Sequence, residues 1–454
     1  MSKNKEAKAF YRCSACGYAQ SKWAGQCPGC GEWNVMHETM ELPSNFRYSG
    51  YAGNSDIAVP VDLASIEAPN ISRTSSGLDE LDRVLGGGLV PGSAVLIGGD
   101  PGIGKSTLLL QSVVALRQRM RPLYVTGEES IEQVGLRAGR LQLAGQGVQV
   151  LSETSLERIL ASARQHQARL LVVDSIQTIY SEQLQSAPGS VAQVRECAAQ
   201  LVRFAKQTGT TLFLIGHVTK EGALAGPRVL EHMVDTVLYF EGDSGSRFRV
   251  IRAFKNRFGA VNELGVFAMG ETGLREVKNP SAIFLSRHDD ELAGSAVTVM
   301  REGSRSILVE VQALVDESQL SAPRRVAVGM DGNRLAMLLA ILHRHAGVGI
   351  FNQDVFINLV GGLRMVETAG DLAVMLAVVS SYRNKVIPRD WVVFGELGLS
   401  GELRPVPNGE ERIREAAKHG FSHAVVPTRN VPRTAIEGLT VIPAKNLKDA
   451  VEAL

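Results

Sequence analysis

Short apolar runs recur along the middle of the chain. Each is followed by polar or Gly-rich turns and by stretches in which apolar residues return every three or four positions. Ala94–Ile97 runs into Gly98-Gly99 and reads as a buried strand. Gly104–Arg119 then reads as a helix with Leu108, Leu109, Ser112, Val113 and Leu116 on one face. Leu123–Val125, Leu170–Val173 and Thr211–Ile215 read as further strands, and Ser155–Gln167 and Val191–Gln207 as helices. Uninterrupted apolar strands separated by helices predict a mainly parallel α/β sheet covered on both faces. Arg247–Phe254 alternates polar and apolar residues, so the sheet is expected to end in antiparallel strands. Leu372–Val379 reads as a core helix or a buried strand, and no apolar run reaches the roughly 18 residues of a membrane span.

Gly, Pro and Cys punctuation divides the chain into residues 1–35, a weakly patterned linker 36–70, and two alternating regions, 71–275 and 285–454. A length of 454 residues accommodates this. The hydrophobic fraction is 44% and the charged fraction 21%, as in ordinary globular chains. Lys+Arg is 48 against Asp+Glu 47, so a global basic field is excluded and any nucleic acid must meet local patches. The first residues carry charges but no apolar segment, so no secretory signal is read and a cytoplasmic location is expected.

Of the five Cys, four form Cys13-x2-Cys16 and Cys27-x2-Cys30. Two such knuckles place four thiolates tetrahedrally around one ion, the soft geometry Zn2+ prefers, with no open position for catalysis. Gly17 and Gly31 follow the knuckles and help the chain turn toward the sulfurs. Two redox pairs are the alternative. Lys3, Lys5, Lys8, Arg12 and Lys22 surround the unit, as a contact patch or a solvated tail, and Cys197 reads as a core residue.

Gly99-Asp100-Pro101-Gly102-Ile103-Gly104-Lys105-Ser106 matches the phosphate-loop pattern between a predicted strand and a predicted helix. Its glycines let backbone N–H groups face phosphates at a helix N-terminus. Lys105 is expected at the β- and γ-phosphates of ATP, Ser106 on Mg2+, and Thr107 near the α-phosphate. Asp174 ends an apolar strand and fits a second Mg2+ contact. Hydrolysis also needs a group that orients water. Glu128, with Glu129 beside it, follows the strand after the loop helix, which is expected to lie next to the phosphate strand. Glu128 is the candidate base; the alternative for Glu129 is a helix cap with Ser130. His217 is a candidate γ-phosphate sensor or a structural histidine. Lys255 and Arg257, one residue apart on a strand, point the same way and suit an arginine-finger role, the alternative being a solvated edge. The Gly-rich segment after His217 carries Lys220 and Arg228, candidates for salt-sensitive DNA phosphate contacts or parts of a surface loop.

These residues, with the lead-in Thr74–Asp82 and Leu85–Gly92 and the segment Lys255-Asn-Arg257-Phe-Gly259, resemble the RecA/DnaB-type ATPases. With the ribbon in front and the last region behind, nearly the whole chain resembles the bacterial RadA (Sms) family of DNA repair proteins. The resemblance implies a RecA-like P-loop core and a hexameric ring. It also implies binding of single-stranded DNA, work beside a RecA-type recombinase, and branch migration of branched recombination intermediates, with no membrane association.

Residues 285–454 resemble the proteolytic domain of Lon proteases, an α+β fold of the ribosomal S5 domain 2-like kind. The match runs through Val366–Ala373 and Phe394–Val406. Thr368 stands at the nucleophile position and Glu410 at that of the lysine base, and a carboxylate cannot replace that amine. A peptidase fold without peptidase chemistry is expected, serving assembly and DNA binding, with Arg301, Arg305, Arg324, Arg325 and Arg334 as candidate cations. A Lon-like peptidase and a KaiC-like regulatory ATPase are the competing functions.

Overall fold

The computed structural model describes residues 9–16, 18–40, 62, 72–143, 147–217, 229–241, 247–285 and 292–454. The chain divides into two compact units, Met1–Ile66 and Glu67–Leu454. In the first, β1 (Ala9–Cys13), β2 (Ala19–Gln20) and β3 (Met36–Met40) form an antiparallel sheet in the order β2-β1-β3. Its core is small: Cys13, Cys27 and Met36, with Tyr11 and Val35 against them. A cluster of that size cannot offset the ordering entropy of the unit, so the four thiols and what they bind must hold it together.

The second unit opens with α1 (Asp79–Leu85), β4 (Ala94–Gly98), α2 (Lys105–Leu116) and β5 (Pro122–Thr126). It continues with α3 (Ile131–Arg140), β6 (Gln149–Ser152), α4 (Leu156–Gln165), β7 (Leu170–Asp174), α5 (Val191–Thr208) and β8 (Thr211–Ile215). Then come β9 (Thr236–Glu241), β10 (Phe248–Asn256), β11 (Leu264–Gly270) and β12 (Gly273–Glu276). These strands make one sheet in the order β12-β11-β10-β9-β4-β8-β7-β5-β6. The six strands from β9 to β6 are parallel, and β10 to β12 extend the sheet antiparallel, as the alternation in Arg247–Phe254 predicts.

Every residue of β4, β5, β7 and β8 is buried, because helices cover both faces. Local signals agree with the elements. Ser130 caps α3 in a reciprocal box with Gln133, and Ser190 caps α5, which Gly209 ends at φ 69°.

Strand order corrects one expectation. β5 is not beside β4, because β8 and β7 lie between them. Spacing along the chain predicts an element but not its neighbours in a sheet.

The chain closes with β13 (Ser295–Glu302), β14 (Arg305–Glu317), β15 (Arg325–Val328), α6 (Gly332–Ala346), β16 (Gln353–Leu359) and α7 (Asp371–Arg383). After these come β17 (Trp391–Val393), β18 (Glu396–Leu397), β19 (Leu403–Arg404), α8 (Gly409–Lys418), β20 (His423–Pro427), β21 (Thr440–Ala444) and α9 (Leu447–Glu452). Seven of the strands form a mixed sheet in the order β15-β16-β14-β13-β17-β20-β21. Leu372–Val379, expected as a helix or a strand, lies within α7, whose residues Asp371–Ser380 are all buried. A helix apolar all round belongs inside a core.

The two sheets are packed within the same unit. Val250, Leu264 and Val266 of the first share an apolar cluster with Phe284, Val309 and Leu338. Ion pairs join them as well: Arg305 meets Glu80 at 3.0 Å, and Arg252 bridges Glu241 and Glu302. Among the described residues no helix is long and apolar enough to cross a membrane.

Candidate active site

The phosphate loop leaves the carboxyl end of β4. Gly99, Gly102 and Gly104 have φ of 149°, 75° and 120°, and a Cβ on Gly104 would come within 2.8 Å of Met269 Cε. A Cβ on Gly102 would meet nothing within 4 Å, so the loop is open on that side. Lys105, only 3% exposed, curls back and donates from Nζ to Gly99 O at 2.8 Å and Asp100 O at 2.9 Å. Burial pushes its amine down to about 8, against the pull of Asp174, Glu128 and Asp100. Ser106 and Thr107 follow, half-buried, in the first turn of α2.

Asp174 is buried at the carboxyl end of β7 and accepts a 2.6 Å hydrogen bond from the Tyr124 hydroxyl. Its peptide bond to Ser175 is cis. Glu128 lies just past β5. Its Oε1 accepts from Ser175 Oγ and stands 3.3 Å from His217 Nε2, past the end of β8. The hydrogen bond with His217, aided by Ser175 and Lys105, holds the Glu128 carboxyl below its usual range despite partial burial. Although β5 is three strands from β4, the carboxyl ends of β4, β7, β5 and β8 therefore bring Lys105, Asp174, Glu128 and His217 together. The arrangement suits a metal-bound triphosphate: an amine, a carboxylate beside the helix start that carries Ser106, and an ionised base at the far side.

Glu129 is not part of this group. It turns to Arg137, and its backbone is pinned to Thr126. Tyr124 and Ser175 are the members that sequence reasoning missed. One signal existed for Tyr124: a hydroxyl inside a strand buried throughout needs a partner, and Asp174 pairs with Thr126, two residues along on the same face.

Lys255 and Arg257 lie elsewhere. A bulge interrupts β10 between Ala253 and Lys255, and Arg257 falls one residue beyond the strand, so the two are not a simple same-face pair. Lys255 Nζ donates to Glu231 O and Val234 O at 2.7 and 2.8 Å. Arg257 meets Asp235 at 3.2 Å and stays 59% exposed. Asp235 also accepts from Ala94 N at 3.0 Å, which marks this as the amino end of β4. Five strand steps, roughly 17 Å, separate that level from the start of the phosphate loop. Neither cation is brought to the loop of its own chain. Lys220 and Arg228 lie outside the described residues.

In the ribbon, Cys13 Sγ and Cys30 Sγ are 3.6 Å apart, and Cys16 Sγ and Cys27 Sγ 3.5 Å. All four lie within 4.8 Å of one another. Disulfides need about 2.05 Å, whereas a tetrahedron of Zn–S bonds near 2.3 Å has edges of about 3.8 Å. The donor set therefore fits zinc. Backbone N–H groups of Cys16 and Gly29 face Cys13 Sγ and Cys27 Sγ, and Gly31 turns at φ 76°. Gly17 lies outside the described residues.

In the last region, Thr368 Oγ1 donates to Glu396 Oε2 at 2.6 Å. Glu410, expected opposite Thr368, instead pairs with Arg414 on the exposed face of α8. Arg412, 1% exposed, forms a bidentate pair with Glu367. The threonine therefore meets the carboxylate of Glu396 and not the amine of a Ser–Lys-type dyad. The five candidate arginines all have internal partners: Arg301 with Glu411, Arg305 with Glu80, Arg324 with Asp354, Arg325 with backbone carbonyls and Arg334 with Asp371. Arg324 nonetheless stays 60% exposed.

The fold and site define a RecA-like P-loop ATPase carrying a zinc ribbon and a Lon-like domain. Family models agree region by region: a rubredoxin metal binding domain over residues 11–38, an AAA domain over 65–223, and the subunit ChlI of Mg-chelatase over 332–430. The chain belongs to the RadA family of DNA repair proteins. It is 60% identical to DNA repair protein RadA of Pseudomonas aeruginosa, over 99% of both chains. It is 56% identical to that of Escherichia coli over 98% of both, and 47% identical to that of Bacillus subtilis, also over 98% of both.

Proposed function

We propose that the chain is a DNA-stimulated ATPase motor that binds single-stranded DNA and drives branch migration of recombination intermediates beside a RecA-type recombinase, as a ring, most simply a hexamer. The observation that carries this reading is the convergence of Lys105, Asp174 and Glu128 at one end of the sheet. In it, Gly99–Thr107 wraps the phosphates, and Lys105 leaves the loop carbonyls for the β- and γ-phosphates. Ser106 and Asp174 hold Mg2+, which supplies charge neutralisation between the phosphates. Glu128 orients the attacking water, and His217 links that base to the presence of the γ-phosphate. Arg257, half-exposed and far from its own loop, reaches the nucleotide of a neighbouring subunit with Lys255 beside it. Cys13, Cys16, Cys27 and Cys30 hold one Zn2+ in a ribbon that runs past residue 35 through β3, because Met36–Met40 pairs with β1; a linker takes up the rest of 36–70, and the ATPase core spans 71–275. Residues 285–454 serve assembly rather than proteolysis. Lys220 and Arg228 belong to the DNA-facing segment after β8.

ATP turnover with and without a single-stranded oligonucleotide, at two salt concentrations, tests the reading. Stimulation should be several-fold at low salt and fade as salt rises. Turnover indifferent to DNA at both salts would refute it.

A further inference from the structure

The opposite end of the same sheet carries a feature that this function leaves unexplained. The segment between α2 and β5, the residues just before β7 and β8, and the last turns of α4 and α5 enclose an open cleft of 740 Å³. Five arginines line it: Arg117, Arg119, Arg121, Arg164 and Arg169. None of its described lining residues is acidic, although the whole chain nets only +1. Part of this is structural, because cations near helix C-termini satisfy the last carbonyls. Arg117 donates to Val114 O at 2.6 Å, and Arg169 to Thr208 O at 3.2 Å. Arg121 donates to Gln167 Oε1 at 2.5 Å, Arg164 lies 5.6 Å over the Phe204 ring, and Arg119 has no side-chain partner among the described residues.

A guanidinium has five N–H donors, so most of the donors around this cleft remain uncommitted. Five uncompensated like charges around one space repel one another until anions enter. Forked guanidinium groups match phosphate oxygens bidentately. The one aromatic ring in the lining, Phe204, is 3% exposed and covered by Arg164, so there is no platform for stacking bases. The chemistry therefore reads phosphates and not bases. The cleft is open, and its cations come from two separate segments, which suits a chain of phosphates passing through it.

We propose that this cleft binds the phosphodiester backbone of single-stranded nucleic acid. It is a second contact surface, at the amino ends of the strands and away from the segment after β8. The proposal rests on the reading of the protein as a DNA-stimulated ATPase and adds a site to it.

The test compares wild type with Arg119→Gln/Arg121→Gln and Arg119→Glu/Arg121→Glu in the full-length chain. Both residues are exposed, and a fluorescent ATP analogue bound at the phosphate loop reports that each variant is folded. Anisotropy of a labelled oligothymidylate is titrated across salt. Each lost phosphate contact reduces the salt slope by about 0.7, so the Gln pair should lower it by about 1.4 and weaken binding roughly tenfold or more near 0.1 M salt. The Glu pair should weaken it further. Calorimetry with inorganic tripolyphosphate separates the sources. Heat lost in the variants with oligonucleotide binding unchanged would assign the cleft to a free polyphosphate and overturn the backbone assignment. Wild-type affinity and slope in both variants would overturn it too. A wild-type chain that binds no oligonucleotide at all would instead refute the motor reading itself.

Discussion

Lys105 is buried as an amine among loop carbonyls, with its charge favoured by carboxylates and disfavoured by desolvation. Desolvation wins, and the amine falls from 10.5 to about 8. Because the folded value lies below the unfolded one, this residue costs stability below pH 8, and that penalty fades as pH rises toward 10.5. Phosphates restore the ammonium form. ATP binding near pH 8.5 should therefore take up a fraction of a proton, seen as a buffer-dependent binding heat, and Lys105→Ala should abolish both the uptake and turnover. Tyr124 makes a 2.6 Å bond to Asp174 from inside the sheet. Hydrogen bonds to charged groups contribute about 1.5–3 kcal/mol to stability, so Tyr124→Phe should lower unfolding stability by about that much, and with Asp174 no longer held it should also slow turnover. A wild-type rate in Tyr124→Phe would show that Asp174 is positioned by other contacts.

At the scale of elements, legibility followed locality. The phosphate loop, its helix and the Cys knuckles were readable because each is one contiguous pattern. The placement of β5 three strands from β4, the bulge before Lys255 and the meeting of Thr368 with Glu396 depend on contacts between distant segments, which spacing does not encode. Arg412 and Glu367, 45 residues apart, were likewise invisible. Glu367→Ala would leave the Arg412 guanidinium buried without its counter-charge, at a cost of about 3–5 kcal/mol. Denaturant unfolding should show that loss, and a change under 1 kcal/mol would mean that the carbonyls of Val299 and Pro407 suffice for Arg412. The ribbon is a separate compact unit. Cys27→Ser should therefore release zinc, counted by elemental analysis, and leave nucleotide binding by the second unit intact.

At the scale of the whole molecule, the account rests on a division of labour across the sheet. The nucleotide site lies at the carboxyl ends of the strands, and Arg257 sits level with the amino end of β4. No rotamer of Arg257 spans that separation, so a role in hydrolysis requires a second subunit. The measurement that tests this most directly mixes Lys105→Ala protein with Arg257→Ala protein, each expected to be inactive alone, while energy transfer between labelled chains verifies that subunits exchange. Mixed assemblies should regain part of the ATPase activity, because an intact phosphate loop from one variant then meets an intact arginine from the other. Exchange without recovery at any mixing ratio would contradict the shared site.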